Sequence, residues 1–565
     1  MTAHVHPLPV DAVALVDSWF SPLKSFRGRL PSNDPLIAAG GAGWLIRTRG
    51  RELAVVVDVA FPFTRPRVYL RGNWPAMPHI ERDGRFCLRN PEIPASPIAA
   101  VERALGEARA LLADIASGSE DHDFEEDFGL YWRQSAEVGL RARLLIPGDQ
   151  ASSIIAWSAT QAGAYGFLST EALQRWWAHR FDSDRSHVRQ GALVALTRLP
   201  HPDLYPRTGL ELWDLVVQCS RDGAEVLAGL LRQTPKSLLV VLAGTALSGR
   251  HHAVGAMLTR HSDARGRPVT RRVIEHDYPR GKTPPEIICE RYRLSRLETE
   301  ALDAAGTRLP YEERDRLASA RVAVIGCGAL GSGVARLLAK SGVGHLVLVD
   351  PERLGWENIR RHQLGAGFVG SPKATGLAKA IAHENPDIGG TIGYDLAVEK
   401  LLLANAKSLE GLDLVVACTA SWSANSALDD FFGRPGRPPV LYAWMEAHAV
   451  AAHAVLIMTG NSYRSGFDIV GNPKLMASQS SKAIPAACGA LTSPFGAIEL
   501  AHAETLTSRL ALDFLRGKAV STTWRTWLTD SETLADAEGS WTKDWIAARG
   551  SPDPQGQVSA GPWLV

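Results

Sequence analysis

The run RVAVIGCGALGSGVARLLAKSGVGHLVLVD, residues 321–350, admits few folds. An apolar strand leads into Gly326, Gly328 and Gly331, spaced GxGxxG, then an amphipathic helix, then a second apolar strand ending at Asp350. Strands apolar at nearly every position are buried on both faces, the habit of a parallel sheet covered by helices. Glycines suit such a turn because the backbone must bend tightly and approach phosphates, whose charge the amides at a helix N-terminus favour. Asp350, 19 residues past Gly331, stands where a carboxylate reaches ribose hydroxyls. This half therefore predicts a Rossmann-like nucleotide site and, taken alone, leaves an NAD-dependent oxidoreductase open. DLVVACTA adds a strand, LYAWMEAHAVAAHAVLIMTG a later pair, and AIELAHAETLTSRLALDFL a closing helix.

The residues after Asp350 narrow the chemistry. WENIRRHQ supplies Asn358, Arg360, Arg361 and His362, and VGSPKA supplies Lys373. Hydride transfer has no use for that cluster, whereas triphosphate binding and adenylyl transfer need cations near the phosphates. The segment resembles the ThiF-type adenylyltransferase family, which includes ubiquitin-activating (E1-like) enzymes. That resemblance implies ATP with Mg2+, ribose binding by Asp350, and phosphate contacts from Asn358, Arg361 and Lys373. His362 stands where the family usually has Gln. The family's paired acids after the later strand are replaced here by Ala417 and Ala420, so the metal ligand is unknown from sequence; Asp413 and Asp429 are the nearby acidic alternatives. Arg296 is the candidate for the family's arginine finger, with a solvated linker arginine as the competing reading.

At the other end, GWLIRTR, RELAVVVDVAF and PRVYL read as an antiparallel meander after a short helix over residues 11–20, and AAVERALGEARALLADIA reads as a further helix. Between the meander and that helix, MPHIERDGRFCL ends on Cys87 and Leu88. Asp83 and Gly84 have turn chemistry and would present Cys87. The region resembles the ubiquitin-conjugating (E2-like) fold, whose Asn, eight residues before the cysteine, steadies the oxyanion as an amine attacks a thioester. His79 holds that position, and an imidazole N–H offers the same hydrogen bond. The acidic SEDHDFEEDFGLYW that follows reads as a solvated connection before another helix.

Cys488, in KAIPAACGALTSPFG just before a helix, resembles the acceptor cysteine of the activating family; on residue chemistry alone a buried structural cysteine competes with that reading. Cys219, Cys289, Cys327 and Cys418 invite no chemistry, and Trp176 and Trp177 read as core or interface anchors.

A chain of 565 residues exceeds one hydrophobic core. The expectation is an α/β multidomain protein: a conjugating-like α+β domain over 1–147, a small α/β linker domain over 148–285 without chemical motifs, and a Rossmann-like ThiF/E1 adenylation domain over 286–565. A formal charge of +1 gives no reason to expect nucleic acid or a membrane as partner. Six scattered cysteines without a CxxC pair, no secretory signal and no membrane-length apolar run suggest a cytoplasmic protein with a free catalytic thiol. The domain order resembles bacterial E1–E2 fusion proteins, known from antiphage CBASS operons. That resemblance implies adenylation of a protein C-terminus, a Cys488 thioester, transfer to Cys87, and conjugation to a target lysine. The activated protein would be a cGAS/DncV-like nucleotidyltransferase or a ubiquitin-like protein, and the enzyme a homodimer. A sulfur-carrier adenylyltransferase, needing only the C-terminal half, and a non-catalytic scaffold are the alternatives besides the oxidoreductase.

Overall fold

The computed structural model describes residues 10–74, 77–88, 96–117, 122–137, 139–146, 150–181, 187–260, 283–302, 311–385, 387–469, 471–481, 486–487, 490–491 and 495–563. They belong to two compact units, Met1–Leu168 with Val188–Ala301, and Ser169–His187 with Leu302–Val565.

The first unit holds two sheets. Strands β1 (Phe26–Arg29), β2 (Ala42–Thr48), β3 (Arg51–Val57) and β4 (Arg67–Arg71) form an antiparallel meander in that order. Alternation sends Trp44 and Ile46 from β2, with Leu53, Val55 and Val57 from β3, to one face. There they meet helices α1 (Val10–Phe20) and α2 (Pro97–Ser117), the latter through Val101, Ala104, Leu105, Ala108 and Leu111 at helical spacing.

The second sheet comprises β5 (Arg141–Leu145), β6 (Ser153–Thr160), β7 (Gly163–Phe167), β8 (Arg189–Ala195), β9 (Ser237–Thr245), β10 (His251–Arg260), β11 (Tyr292–Arg296) and β12 (Glu298–Ala301). Their spatial order is β11-β10-β9-β8-β6-β7-β5-β12. The stretch GLELWDLVVQCSRDGAEVLAGLLRQ forms two helices, α6 (Gly209–Cys219) and α7 (Arg221–Arg232), because the Ser220 hydroxyl caps the second by accepting from the Gly223 amide. A capping box of Thr283 and Glu286 starts α8 (Pro284–Arg291), so residues 284–301 join this unit.

One segment departs from its sequence reading. The acidic stretch after α2 forms helices α3 (Asp123–Glu126) and α4 (Phe128–Ser135) instead of a solvated connection. Phe124, Phe128, Tyr131 and Trp132 recur at i, i+4, i+7 and i+8 and are buried among Val194, Leu212 and Leu242. That apolar stripe outweighs the charge between its members.

The second unit is built on β13 (Arg321–Ile325), β14 (His345–Val349), β15 (Gly390–Tyr394), β16 (Leu414–Ala417), β17 (Val440–Met445), β18 (Ala451–Ile457), β22 (Thr523–Leu528) and β24 (Gln557–Gly561), ordered β15-β14-β13-β16-β17-β18-β22-β24. The first five are parallel and the rest antiparallel. Short pairs β19 (Ser478–Ser480) with β23 (Gly539–Trp541), and β20 (Ala486–Ala487) with β21 (Ala490–Leu491), lie outside that sheet. One core contains α10 (Ala329–Lys340), α11 (Lys373–Glu384) and α14 (Ala497–Leu515), and the other contains α12 (Val398–Asn405) and α13 (Trp422–Phe432). Helix α5 (Thr170–Phe181) also belongs here, where Arg175 donates to the Gly389 carbonyl. Helices α9 (Tyr311–Ser319), α15 (Ser531–Asp536) and α16 (Lys543–Arg549) complete the unit. No helix among the described residues is long and apolar enough to cross a membrane.

Candidate functional site

The three glycines of the loop after β13 have separate tasks. Gly326 has φ +84°, and a Cβ there would lie 2.8 Å from the Cys418 carbonyl oxygen. A Cβ on Gly331 would lie 1.8 Å from the Gly326 carbonyl oxygen, so these two glycines let the turn close on itself. Gly328 is the N-cap of α10 and would place a Cβ in open space. The fold does not require its bareness, which leaves the positive end of a helix dipole open to an approaching group.

Asp350 and His362 hold the loop from below. Asp350 is buried; its Oδ2 accepts from the Cys327 amide (2.7 Å) and its Oδ1 from the Glu352 amide (2.8 Å). Burial raises its pKa, while those amides and the Lys373 charge pull it back. Imidazole Nδ1 of His362 accepts from the Leu364 amide (3.0 Å), which leaves Nε2–H to donate to the Cys327 carbonyl (2.7 Å). Burial lowers the His362 pKa and favours that neutral form. His362 thus clamps the glycine turn, a role its place in the motif did not disclose.

Lys373 starts α11, is buried, and pairs with the exposed Glu352. The Asn358 Oδ1 accepts from the Gly355 amide (3.0 Å) and closes the 3₁₀ turn that precedes the exposed Arg360 and Arg361. The Arg361 guanidinium lies 5.6 Å over the Phe495 ring, ahead of α14. Gly326, Gly328, Gly331, Asp350, Asn358, Arg361 and Lys373 therefore share one end of the parallel sheet.

Neither acidic alternative for a metal is placed for it. Asp413 precedes β16, at the opposite end from the loop, and accepts from the Arg321 amide (2.8 Å). Asp429 is buried and saturated by Ser462 Oγ (2.6 Å), the Tyr463 amide (2.7 Å) and Arg464 Nε (3.1 Å). Ala420 keeps the turn after β16 in the left-handed region (φ +50°) without a carboxylate. Among the described residues no cluster of three His, Cys, Asp or Glu side chains forms a metal site. Arg296 lies on β11 of the first unit and donates to the Tyr205 carbonyl (3.4 Å). Cys488 lies outside the described residues, as does the Cys289 side chain. Cys327 is buried and Cys418 half-buried, and desolvation pushes both thiols up, Cys418 to about 12, so neither is a ready nucleophile.

Cys87 is exposed. It ends a tight turn in which the Gly84 amide donates to the Glu81 carbonyl (2.9 Å), the Glu81 amide to the Arg85 carbonyl (2.8 Å) and the Cys87 amide to the His79 carbonyl (2.7 Å). Gly84 has φ +88°, and a Cβ there would come within 2.4 Å of the Leu70 carbonyl. Asp83 closes the turn by accepting from the Arg85 amide (3.0 Å). Arg65 spans from the Leu88 carbonyl (3.2 Å) to Glu107 on α2 (3.4 Å), fixing the chain just past the thiol. A cleft of about 520 Å³ opens beside Cys87, lined by Asp58, Phe63, Thr64, Arg67, Glu81 and Arg85 among others.

His79 has φ +57°, a conformation uncommon for a residue with a Cβ. Its amide donates to the Tyr131 hydroxyl (2.7 Å), and its Nε2 lies 2.5 Å from Asp123 Oδ2. Burial pushes the Tyr131 phenol up to about 12. Sequence reasoning missed Asp123 and Tyr131; the signal for them was the aromatic stripe of α3 and α4, which makes that acidic segment a packed element.

Comparison with known proteins follows this division. Residues 42–140 match the prokaryotic E2 family B and residues 303–502 the ThiF family. The "Adenylyltransferase and sulfurtransferase UBA4" of Yarrowia lipolytica is 34% identical over 22% of this chain and 31% of that protein. The "ATP-dependent ubiquitin transferase-like protein Cap2" of Pseudomonas aeruginosa is 29% identical over 36% of this chain and 37% of that protein. The matches thus span only 31% and 37% of those two relatives' lengths. A crystal structure of E. coli MccB with MccA-N7isoASN aligns with 45% of this chain and 66% of that one at 16% identity and a TM-score of 0.32. Both cores of the sequence reading, the thiol-bearing turn and the glycine loop, thus lie inside matched segments, and the chain carries an E2-like domain of the prokaryotic E2 family B followed by a ThiF-family E1-like domain, as bacterial E1–E2 fusion proteins do.

Proposed function

We propose that this protein activates the C-terminal carboxylate of a protein with ATP and conjugates it to an amine, in three acyl transfers. The observation that carries this reading is the open Gly328 position at the N-terminus of α10, with Asp350 and the Lys373 charge beside it. A triphosphate fits that place: α10 amides and Lys373 meet its oxygens, and Asp350 meets the ribose. Carboxylate attack on the α-phosphorus forms the acyl adenylate and releases pyrophosphate. The Cys488 thiol displaces AMP, the Cys87 thiol takes the acyl group by thioester exchange, and a lysine amine accepts it. Arg361 and Asn358 belong to the phosphate side of that site. Mg2+ would arrive on the triphosphate, whose oxygens and waters commonly supply most of its ligands.

Within this reading the activated protein is a cGAS/DncV-like nucleotidyltransferase, primed by conjugation in antiviral defence, or a ubiquitin-like protein, and the enzyme works as a cytoplasmic homodimer; the likeness to Cap2, a ubiquitin transferase-like protein, supports conjugation. The likeness to a sulfurtransferase-linked adenylyltransferase favours a second reading, sulfur-carrier activation, in which Cys87 has no part. Incubation with Mg-ATP and the products of neighbouring genes, resolved on reducing and non-reducing gels, separates the two. Conjugation predicts a thiol-sensitive adduct that accumulates in Cys87→Ala and disappears in Cys488→Ala. An adduct on Cys87 in the Cys488→Ala protein would overturn the relay, and one untouched by either substitution would overturn both cysteine assignments.

A further inference from the structure

We propose that His79 and Asp123 form a proton-transfer dyad, in which the His79 ring takes the proton from the attacking amine and Asp123 is its positioning residue. The inference rests on the reading of Cys87 as an acyl carrier, and it changes what His79 does there.

His79 is tied at both backbone ends. Its amide is bonded to Tyr131 on α4 (2.7 Å) and its carbonyl receives the amide of Cys87 (2.7 Å). The left-handed backbone at His79 is thus fixed between a helix and the nucleophile's own residue. Its ring is fixed by a third group, Asp123 Oδ2 at 2.5 Å from Nε2, and the two side chains are only 14% and 16% exposed. His122 Nε2 stands 3.3 Å from the other carboxylate oxygen. Asp123, Asp127 and Cys87 are the ionisable groups that act on the Tyr131 phenol, which stays protonated because burial holds its pKa at about 12.

A carboxylate this close holds the proton on Nε2, so the neutral ring carries its lone pair on Nδ1. In that tautomer Nδ1 receives a proton and has none to donate. A side-chain amide in the same place would be a donor to an oxyanion; the paired imidazole is a base. The amine nitrogen bonds to the thioester carbonyl carbon, its proton passes to Nδ1, and the carbon–sulfur bond breaks. The imidazolium then returns the proton to the Cys87 thiolate. An amide and a free thiol result, the imidazolium is stabilised by Asp123 meanwhile, and no other reactant is consumed.

The test bypasses the ATP-dependent half. The full-length protein is acylated on Cys87 with a glycyl mercaptoethanesulfonate thioester, confirmed by peptide mass. Discharge is then followed with lysine and with hydroxylamine, which is uncharged at neutral pH and needs little help from a base. Asp123→Asn should slow lysine discharge at least about tenfold while changing hydroxylamine discharge by under about twofold. The limb of the lysine pH profile in the histidine range should flatten, and Asp123→Glu should restore part of the rate. His79→Asn, which supplies an amide donor, should lose the same limb. Wild-type lysine discharge in His79→Asn, or equal slowing of both nucleophiles in Asp123→Asn, overturns the dyad while leaving Cys87 as acyl carrier. Failure of wild-type Cys87 to take the acyl group at all overturns the carrier reading and the dyad with it.

Discussion

The Cys87 turn and the nucleotide loop solve one geometric problem alike and a chemical one differently. Each puts its working group at the end of a turn closed by a left-handed glycine, Gly84 (φ +88°) in one and Gly326 (φ +84°) in the other. In each, a packed carbonyl excludes any Cβ, that of Leu70 or that of Cys418. Beyond the turn they part. The nucleotide loop offers backbone amides, and its buried side chains, Asp350 and His362, bind the loop's own backbone. At the Cys87 turn the proposed chemistry falls to the side chains themselves, with His79 held against Asp123 from a distant helix. A site that binds by backbone is specified by what residues must lack; one that reacts through side chains is specified by which ones meet.

The sharpest way to break that contrast is to add one methyl group to two neighbouring glycines. Gly331→Ala drives a Cβ to 1.8 Å from the Gly326 carbonyl, a backbone atom that cannot swing aside. The second unit should lose about 3 kcal/mol or more in urea unfolding, the upper range for overpacking. Gly328→Ala meets open space and should stay within about 0.5 kcal/mol of the parent, yet bind ATP at least about tenfold more weakly. If the two variants unfold alike, the division of labour among the glycines is wrong.

The same contrast explains what could be read from sequence. The loop, the parallel strands and Asp350 were legible because backbone constraints demand glycines and apolar runs at fixed local spacing. The meander and the Cys87 turn were legible for the same reason, through alternation and the Asp83–Gly84 pair. Asp123 was not, since it lies 44 residues from His79 and its neighbours are acids that read as solvent-facing. The clamp by His362 was equally hidden, because it depends on which carbonyl the ring reaches once the chain has folded. Cys488 lies outside the described residues, and its assignment still rests on resemblance alone.

Behind the Cys87 site, a half-buried histidine should make the first unit sensitive to acid. The His252 ring packs edge-on to Phe128 of α4, the helix that carries Tyr131, and its buried Nε2 has no hydrogen-bond partner. Burial lowers its pKa from 6.5 to about 4. A depressed histidine adds stability above its unfolded pKa and loses it as protonation becomes cheaper in the unfolded chain. The first unit should therefore lose up to about 3 kcal/mol between pH 6.5 and 4, at about 1.36 kcal/mol per pKa unit. Leucine at that position should flatten the dependence, read as the midpoint of tryptophan-fluorescence unfolding at each pH; an unchanged slope in His252→Leu would assign the acid sensitivity elsewhere.

The nucleotide loop has its own carboxylate, and among the described residues it contrasts with Asp123 in having an amide, not a histidine, as its partner. Glu504 of α14 lies flat against α10, where a Cβ on Gly333 would come 1.9 Å from Oε1, and its closest donor is the Gln363 amide (3.4 Å). Burial raises its pKa from 4.5 to about 6. The folded state thus favours the neutral acid, and stability falls as pH rises from 4.5 through 6, by about 2 kcal/mol in all at about 1.36 kcal/mol per unit. Glu504→Gln keeps the shape and an oxygen for Gln363 while removing the charge. It should raise the unfolding midpoint of the second unit at pH 8 and leave it unchanged at pH 4.5. Equal midpoints at pH 8 would mean that water or a cation reaches the carboxylate from the loop side, and the nucleotide loop would then be less enclosed at its back than the Cys87 turn.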